Sequence, residues 1–83
     1  MDCSHIQLAV ATRGLVDWNT VVRLNMLRDA HPSLPPIHYE AGRLSVTDTR
    51  NRIVHKVLAS EATTLVFIDD DVIPPLDILT MTT

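Results

Sequence analysis

Near the start of the chain apolar positions run almost together: Ile6, Leu8, Ala9, Val10 and Ala11 are interrupted only by Gln7, and the run leaves into Thr12-Arg13-Gly14. Branched residues followed by a turn signal predict a strand over residues 6–11. The period then changes. Leu15, Trp18, Val22 and Met26 recur at spacings of three and four, widened by Val21 and Leu27, which predicts a helix over 15–30 with that stripe as its core face. Asp17 lies early and Arg28 late in this segment, each at the end where the helix dipole favours its charge. Pro32 prevents continuation, and the proline-rich run over 32–36 reads as a stiff connector.

Residues 37–40 are a short strand candidate, closed by Ala41-Gly42. Ser45 with Asp48 three residues later resembles a capping box, and a helix over about 47–60 follows. In it Val46, Arg50, Ile53, Val54, Val57 and Leu58 form one side, its apolar part turned to a sheet. Residues 63–68 are apolar on consecutive positions from Leu65 on, the pattern of a strand covered on both faces. Val72-Ile73-Pro74-Pro75 then opens a helical stretch expected to reach Thr83, since proline is well tolerated at a first helical position.

Strands alternating with helices through short connectors predict an α/β fold: a partial Rossmann-like parallel sheet of about three strands with right-handed crossover helices. Residues 1–83 read as a single domain and as the front half of a longer α/β fold. With 46% hydrophobic and 20% charged residues the chain is globular rather than disordered, and 83 residues support one modest core, not a two-domain enzyme. Aromatic residues are only 4%, so that core must be mostly aliphatic. No apolar run approaches the roughly 20 residues of a membrane span. The first residues lack the pattern of a secretory signal, and a single cysteine, Cys3, cannot cross-link the chain to itself. A cytoplasmic location is the expectation.

Net charge is −3, from 7 basic and 10 acidic residues, and three of the acids stand together as Asp69-Asp70-Asp71. The excess is thus the size of one local cluster, which argues against nucleic-acid binding through a basic surface. The cluster follows directly from an apolar strand, and ligands of open parallel sheets collect at such carboxyl ends. If the backbone stays extended, Asp69 and Asp71 project to one side and Asp70 to the other. Two carboxylates about 6.5–7 Å apart repel by roughly 2–3 kcal/mol at an effective dielectric constant near 20. A divalent cation offsets this, and hard oxygen ligands suit magnesium or manganese, which would bring a metal-bound phosphate ester or diphosphate. The alternative is that these aspartates cap a helix or form a turn.

The segment 67–75, Phe67-Ile68-Asp69-Asp70-Asp71 followed by Val72-Ile73-Pro74-Pro75, resembles the strand and Asp-x-Asp motif of GT-A fold glycosyltransferases, particularly family 2-like enzymes. Thr49-Arg50-Asn51-Arg52 looks like the Ala-Arg-Asn segment that often precedes that motif, and the first strand ending at Ala11-Thr12-Arg13-Gly14 matches in placement. The resemblance runs from Ile6 to about Leu79. It implies the donor-binding half of a transferase that uses a nucleotide-diphosphate sugar and Mn2+ or Mg2+. Asp71 would coordinate the metal, and Asp69 would contact the ribose or share the metal. Asp70, in the variable middle position, would stand aside. Thr12 and Arg13 would line the base or ribose pocket, Glu40 would lie near the base, and Arg50 and Asn51 would meet the donor from a helix start. Each has a plainer alternative: a salt bridge for Arg50, a cap or turn for Asn51, a solvated loop for Arg13. The acceptor-binding half, which supplies the catalytic base in inverting members, has no counterpart in these residues, so transfer by this chain alone is not expected.

Other chemistries fit less well. His5, His31, His38 and His55 are separated by 26, 7 and 17 residues and lack ligand spacing. Gly14 and Gly42, the only glycines, make neither a P-loop nor a dinucleotide fingerprint. A phosphatase of haloacid-dehalogenase type would use Asp69 as nucleophile and Asp71 as acid/base. Its pattern wants Thr or Val two residues past the second aspartate, where this chain has Ile73, and usually lies on the first strand rather than the third. A non-catalytic nucleotide- or cation-binding module and a structural fragment are the remaining readings. An exposed sheet edge predicts self-association.

Overall fold

A computed structural model describes residues 2–42 and 45–81. The chain runs β1 (Ile6–Thr12), α1 (Trp18–Ala30), β2 (His38–Ala41), α2 (Val46–Leu58), β3 (Thr64–Asp69) and one helical turn, α3 (Ile78–Met81). The strands form a parallel sheet in the order β2-β1-β3. This is the α/β arrangement that the alternation of periods predicts.

Register decides what each face carries. Val10 pairs with Tyr39 and Ile68, and Ala11 pairs with Glu40 and Asp69. Alternation therefore puts Ile6, Leu8, Val10, Val66 and Ile68 on one face and Ala9, Ala11, His38, Glu40, Phe67 and Asp69 on the other. Helix α1 covers the first face: Leu24 and Leu27 join Ile6, Leu8, Val10 and Ile68 in a core closed by Cys3, Leu34 and Leu79. Helix α2 covers the second through the buried Ile53 and Thr49. Crossovers of one hand that step in opposite directions from strand to strand must lie on opposite faces.

The core face of α1 is not the expected one. Leu15 and Trp18 are 89% and 74% exposed, Val22 and Met26 are exposed with them, and the buried residues are Thr20, Leu24 and Leu27. Apolar side chains surround much of this helix, so its periodicity leaves two stripes in competition. Hydrogen bonds to the chain after β3 choose between them. The Thr20 hydroxyl donates to the Val72 carbonyl (2.8 Å) and Arg23 Nη1 to the Pro74 carbonyl (2.9 Å). Asp17 is the N-cap, its side chain accepting from the Asn19 amide, so Leu15 lies ahead of the helix.

Ser45 caps α2 as expected, accepting from the Asp48 amide at 3.0 Å. Of the predicted apolar side, Ile53 is buried and Val57 half-buried, whereas Val46, Val54 and Leu58 face solvent. Strand β3 is not covered on both faces. Ile68 is buried, but Phe67 is 36% exposed, because β3 is an edge strand and α2 lies over β1 and β2. The helix expected over 72–83 is reduced to α3, with Thr82 and Thr83 outside the described residues. Two consecutive prolines supply no amides, and the carbonyls of Val72 and Pro74 are already bound by α1. Pro74 is buried there. No described helix is long and apolar enough to cross a membrane.

Candidate functional site

The chain steps from β1 to β2 on one side and then back across β1 to β3, so strand order reverses beside the carboxyl ends of β1 and β3. Ligands of open α/β sheets bind at such a point. A hollow of about 300 Å³ lies there, lined by Thr12, Arg13, Val46, Asp69, Asp70 and Asp71 among others.

The three aspartates have three different surroundings. Asp69 ends β3 on the α2 face, where its Oδ1 accepts from Arg50 Nη2 at 3.0 Å. The Arg50 guanidinium also lies over the Phe67 ring, 5.4 Å from its centre, a cation–π contact that holds the arginine along the strand. The extended backbone stops at this point: the Val72 amide donates to the Asp69 carbonyl at 3.1 Å and closes a turn. Asp70 projects toward the α1 face, and its Oδ2 accepts from the Thr12 hydroxyl at 2.9 Å. Its carbonyl accepts from the Asp17 amide at 2.8 Å, which ties the turn to the start of α1. Asp71 sits exposed in the turn, with no hydrogen bond or ion pair among the described residues. Asp69, Asp70 and Asp71 all line the one hollow, and Asp70, expected to stand aside, is tied into its wall through Thr12.

Thr12 is more buttress than lining. It is buried, its oxygen accepts from the Gly14 amide at 3.1 Å, and its one proton lies between Asp70 Oδ2 and the Leu15 carbonyl at 3.1 Å. Gly14 has φ +131°, which a side chain would strain, and this lets the loop turn back onto Thr12. Arg13 is exposed and borders a second, larger hollow of about 780 Å³ between the ends of β1 and β2 and the start of α2. Gly14, Gly42, Ser45, Asp48 and Arg52 also line it. Gly42 is required there by close approach: a Cβ would collide with Thr49 Oγ1 and the Arg52 guanidinium.

Three expected site residues are placed differently. Glu40 lines neither hollow. Pairing with Ala11 turns it to the α2 face, where its Oε1 accepts from Lys56 Nζ at 2.6 Å and lies 3.0 Å from His38 Nε2. Those hydrogen bonds, Lys56 first, hold its carboxyl down to about 2. Helix α2 begins at Val46, so the amides of Arg50 and Asn51 belong to the intrahelical ladder and are not free donors. The Arg50 side chain takes the salt-bridge alternative, and Asn51 is exposed and lines neither hollow. Gly42, Asp48 and Arg52 were invisible as site residues. Asp48 reads in sequence only as part of a cap, and the arginine enters only because β2 ends beside the first turns of α2. Among the described residues no group of three or more His, Cys, Asp or Glu side chains could hold a metal ion, so a cation would have to rest on Asp69 and Asp71 with ligands from elsewhere.

Comparison with family models, with curated proteins and with solved structures finds no match to this chain.

Proposed function

We propose that this chain is a glycosyltransferase-like donor-binding domain that takes a nucleotide-diphosphate sugar through Mn2+ or Mg2+ held by Asp69 and Asp71. The observation that carries the reading is that both carboxylates line one hollow with Thr12 and Arg13, at the point where strand order reverses. The residues fit a hard cation. Asp71 is unengaged among the described residues, and Asp69 keeps one oxygen that Arg50 does not bind. Magnesium commonly takes one or two carboxylates and completes its shell with water and phosphate. Such an ion would neutralise the diphosphate. Arg13, on the border of both hollows, is positioned to meet the same phosphates while the nucleoside occupies the larger space. Arg50 occupies one oxygen of Asp69, and the Thr12–Asp70 bond holds the two strand ends together. We assign no catalytic base; transfer would need an acceptor-binding part.

The test is titration of uridine and guanosine diphosphate with and without manganese, repeated on Asp71→Asn. Binding that needs the metal and is lost in the variant supports the reading. Equal binding without metal points instead to a plain nucleotide module. Release of phosphate from simple monoesters, with a phosphate trapped on Asp69, would replace it with the phosphatase.

A further inference from the structure

An aspartate and an arginine four residues apart on a helix share one face and ordinarily attract each other. Asp48 and Arg52 stand so on α2, yet the ion pairs among the described residues all lie elsewhere. The arginine is drawn back instead: its Nη2 donates to the Ala41 carbonyl and to Thr49 Oγ1, both at 3.4 Å. The Asp48 carboxylate makes no hydrogen bond or ion pair among the described residues. Its amide donates to Ser45 Oγ, but its side chain does not return to the Ser45 amide as a full capping box would. The helix start therefore leaves this carboxylate unspent. Both side chains line the larger hollow, of about 780 Å³, together with Arg13, Gly14 and Gly42.

The hollow thus offers a pair of acceptors beside a fork of donors, one helical turn apart. We infer that Asp48 and Arg52 select guanine as the base of the nucleotide, an inference that rests on the donor-binding reading above. Guanine presents two adjacent donors, N1–H and the 2-amino group, and next to them the acceptors O6 and N7. A carboxylate has two oxygens for the first pair, and a guanidinium has matching donors for the second. Adenine presents the reverse, an unprotonated N1 toward the carboxylate and a 6-amino group toward the guanidinium. Cytosine likewise sets an unprotonated ring nitrogen beside an amino group. Uracil has one donor, N3–H, between two carbonyls, so it gives Asp48 one bond and opposes its other oxygen. The hollow is large enough for a two-ring base. Arg13 lines both hollows, so one nucleotide can run from Asp48 past Arg13 to Asp69 and Asp71.

Calorimetric titration of guanosine, inosine, uridine and adenosine diphosphates in the presence of manganese, on the parent and on Asp48→Asn, tests it. Guanosine diphosphate should bind roughly 5- to 150-fold more tightly than the uridine and adenosine compounds, the discrimination of one good bidentate contact. Inosine diphosphate lacks only the 2-amino group and should bind more weakly than guanosine diphosphate. In Asp48→Asn those two should reach one affinity, because a carboxamide keeps a single acceptor. The inosine comparison uses the parent alone and holds whether or not the variant folds. Equal binding of guanosine and inosine diphosphates by the parent, a preference for uridine or adenosine diphosphate, or a guanine preference that survives in Asp48→Asn would each overturn the inference. Metal-dependent binding of all four with one affinity would overturn it and leave the donor site standing. No binding of any diphosphate would overturn the donor reading and this inference together.

Discussion

Replacing Thr12 by valine removes one buried hydroxyl and changes the shape of the side chain very little. In the parent that oxygen accepts from the Gly14 amide and donates to Asp70 Oδ2. Valine leaves both partners without it. A hydrogen bond to a charged group contributes about 1.5–3 kcal/mol and a neutral one about 1 kcal/mol. Asp70 is half-buried and recovers part of its loss from water, so the expected destabilisation is about 2–3 kcal/mol. In a domain of this size that corresponds to a fall in Tm of roughly 8–24 °C. Thr12→Ser keeps the hydroxyl and loses only a methyl group, which should cost about 1 kcal/mol. Urea and thermal unfolding of the two variants are the assay, with Asp70→Ala and the Thr12→Val/Asp70→Ala double variant closing a cycle. The coupling between the two sites should be about 1–2 kcal/mol. Valine tolerated as well as serine, or two losses that simply add, would mean that the hydroxyl does not join the strand ends.

Four further outcomes are expected. The Glu40 carboxyl titrates near 2 instead of 4.5, so its contribution to stability is complete above pH 4.5 and disappears as pH falls from 4.5 toward 2. Glu40→Gln should therefore flatten acid unfolding over that window, with a loss at neutral pH of no more than about 1 kcal/mol because Lys56 is well exposed; an unchanged acid profile would contradict the pairing. Gly42→Ala should destabilise by about 1–3 kcal/mol by forcing Thr49 and Arg52 aside, measured by denaturant unfolding and refuted by a neutral result. Trp18→Gln should stay within about 0.5 kcal/mol of the parent while Leu24→Ala costs about 2–5 kcal/mol, and the reverse order would restore the stripe that periodicity alone suggests. Arg50→Ala removes a competing cation from Asp69, so manganese alone should bind a few-fold more tightly by calorimetry, in keeping with the ~0.2–1 kcal/mol of an exposed ion pair.

The parts of the site that were legible are those fixed by chain direction. Asp69 follows an apolar strand and Thr12 follows another, so in any parallel sheet both must reach the same rim. The Ser45 cap was equally readable, since a cap is made within four residues. The pairing of Glu40 is not legible for the opposite reason: its side is set by register against β1 and by where Lys56 arrives on α2, neither of which its neighbours in sequence express. The tie of Asp70 is not legible either, because nothing in a run of three aspartates tells which one will meet a threonine 58 residues away.

The same division holds for the whole chain. Local order determined the succession of three strands and two full helices and the parallel sense of the sheet, because period, capping and connector length act between near neighbours. Only tertiary structure decided which face of α1 is buried, where the last helix starts, and that β3 lies at an edge among the described residues. Those outcomes depend on partners distant in sequence. A helix with apolar residues on several sides has no preferred face until Val72 and Pro74 present carbonyls to Thr20 and Arg23, and a strand cannot express in its own residues whether another will lie beside it.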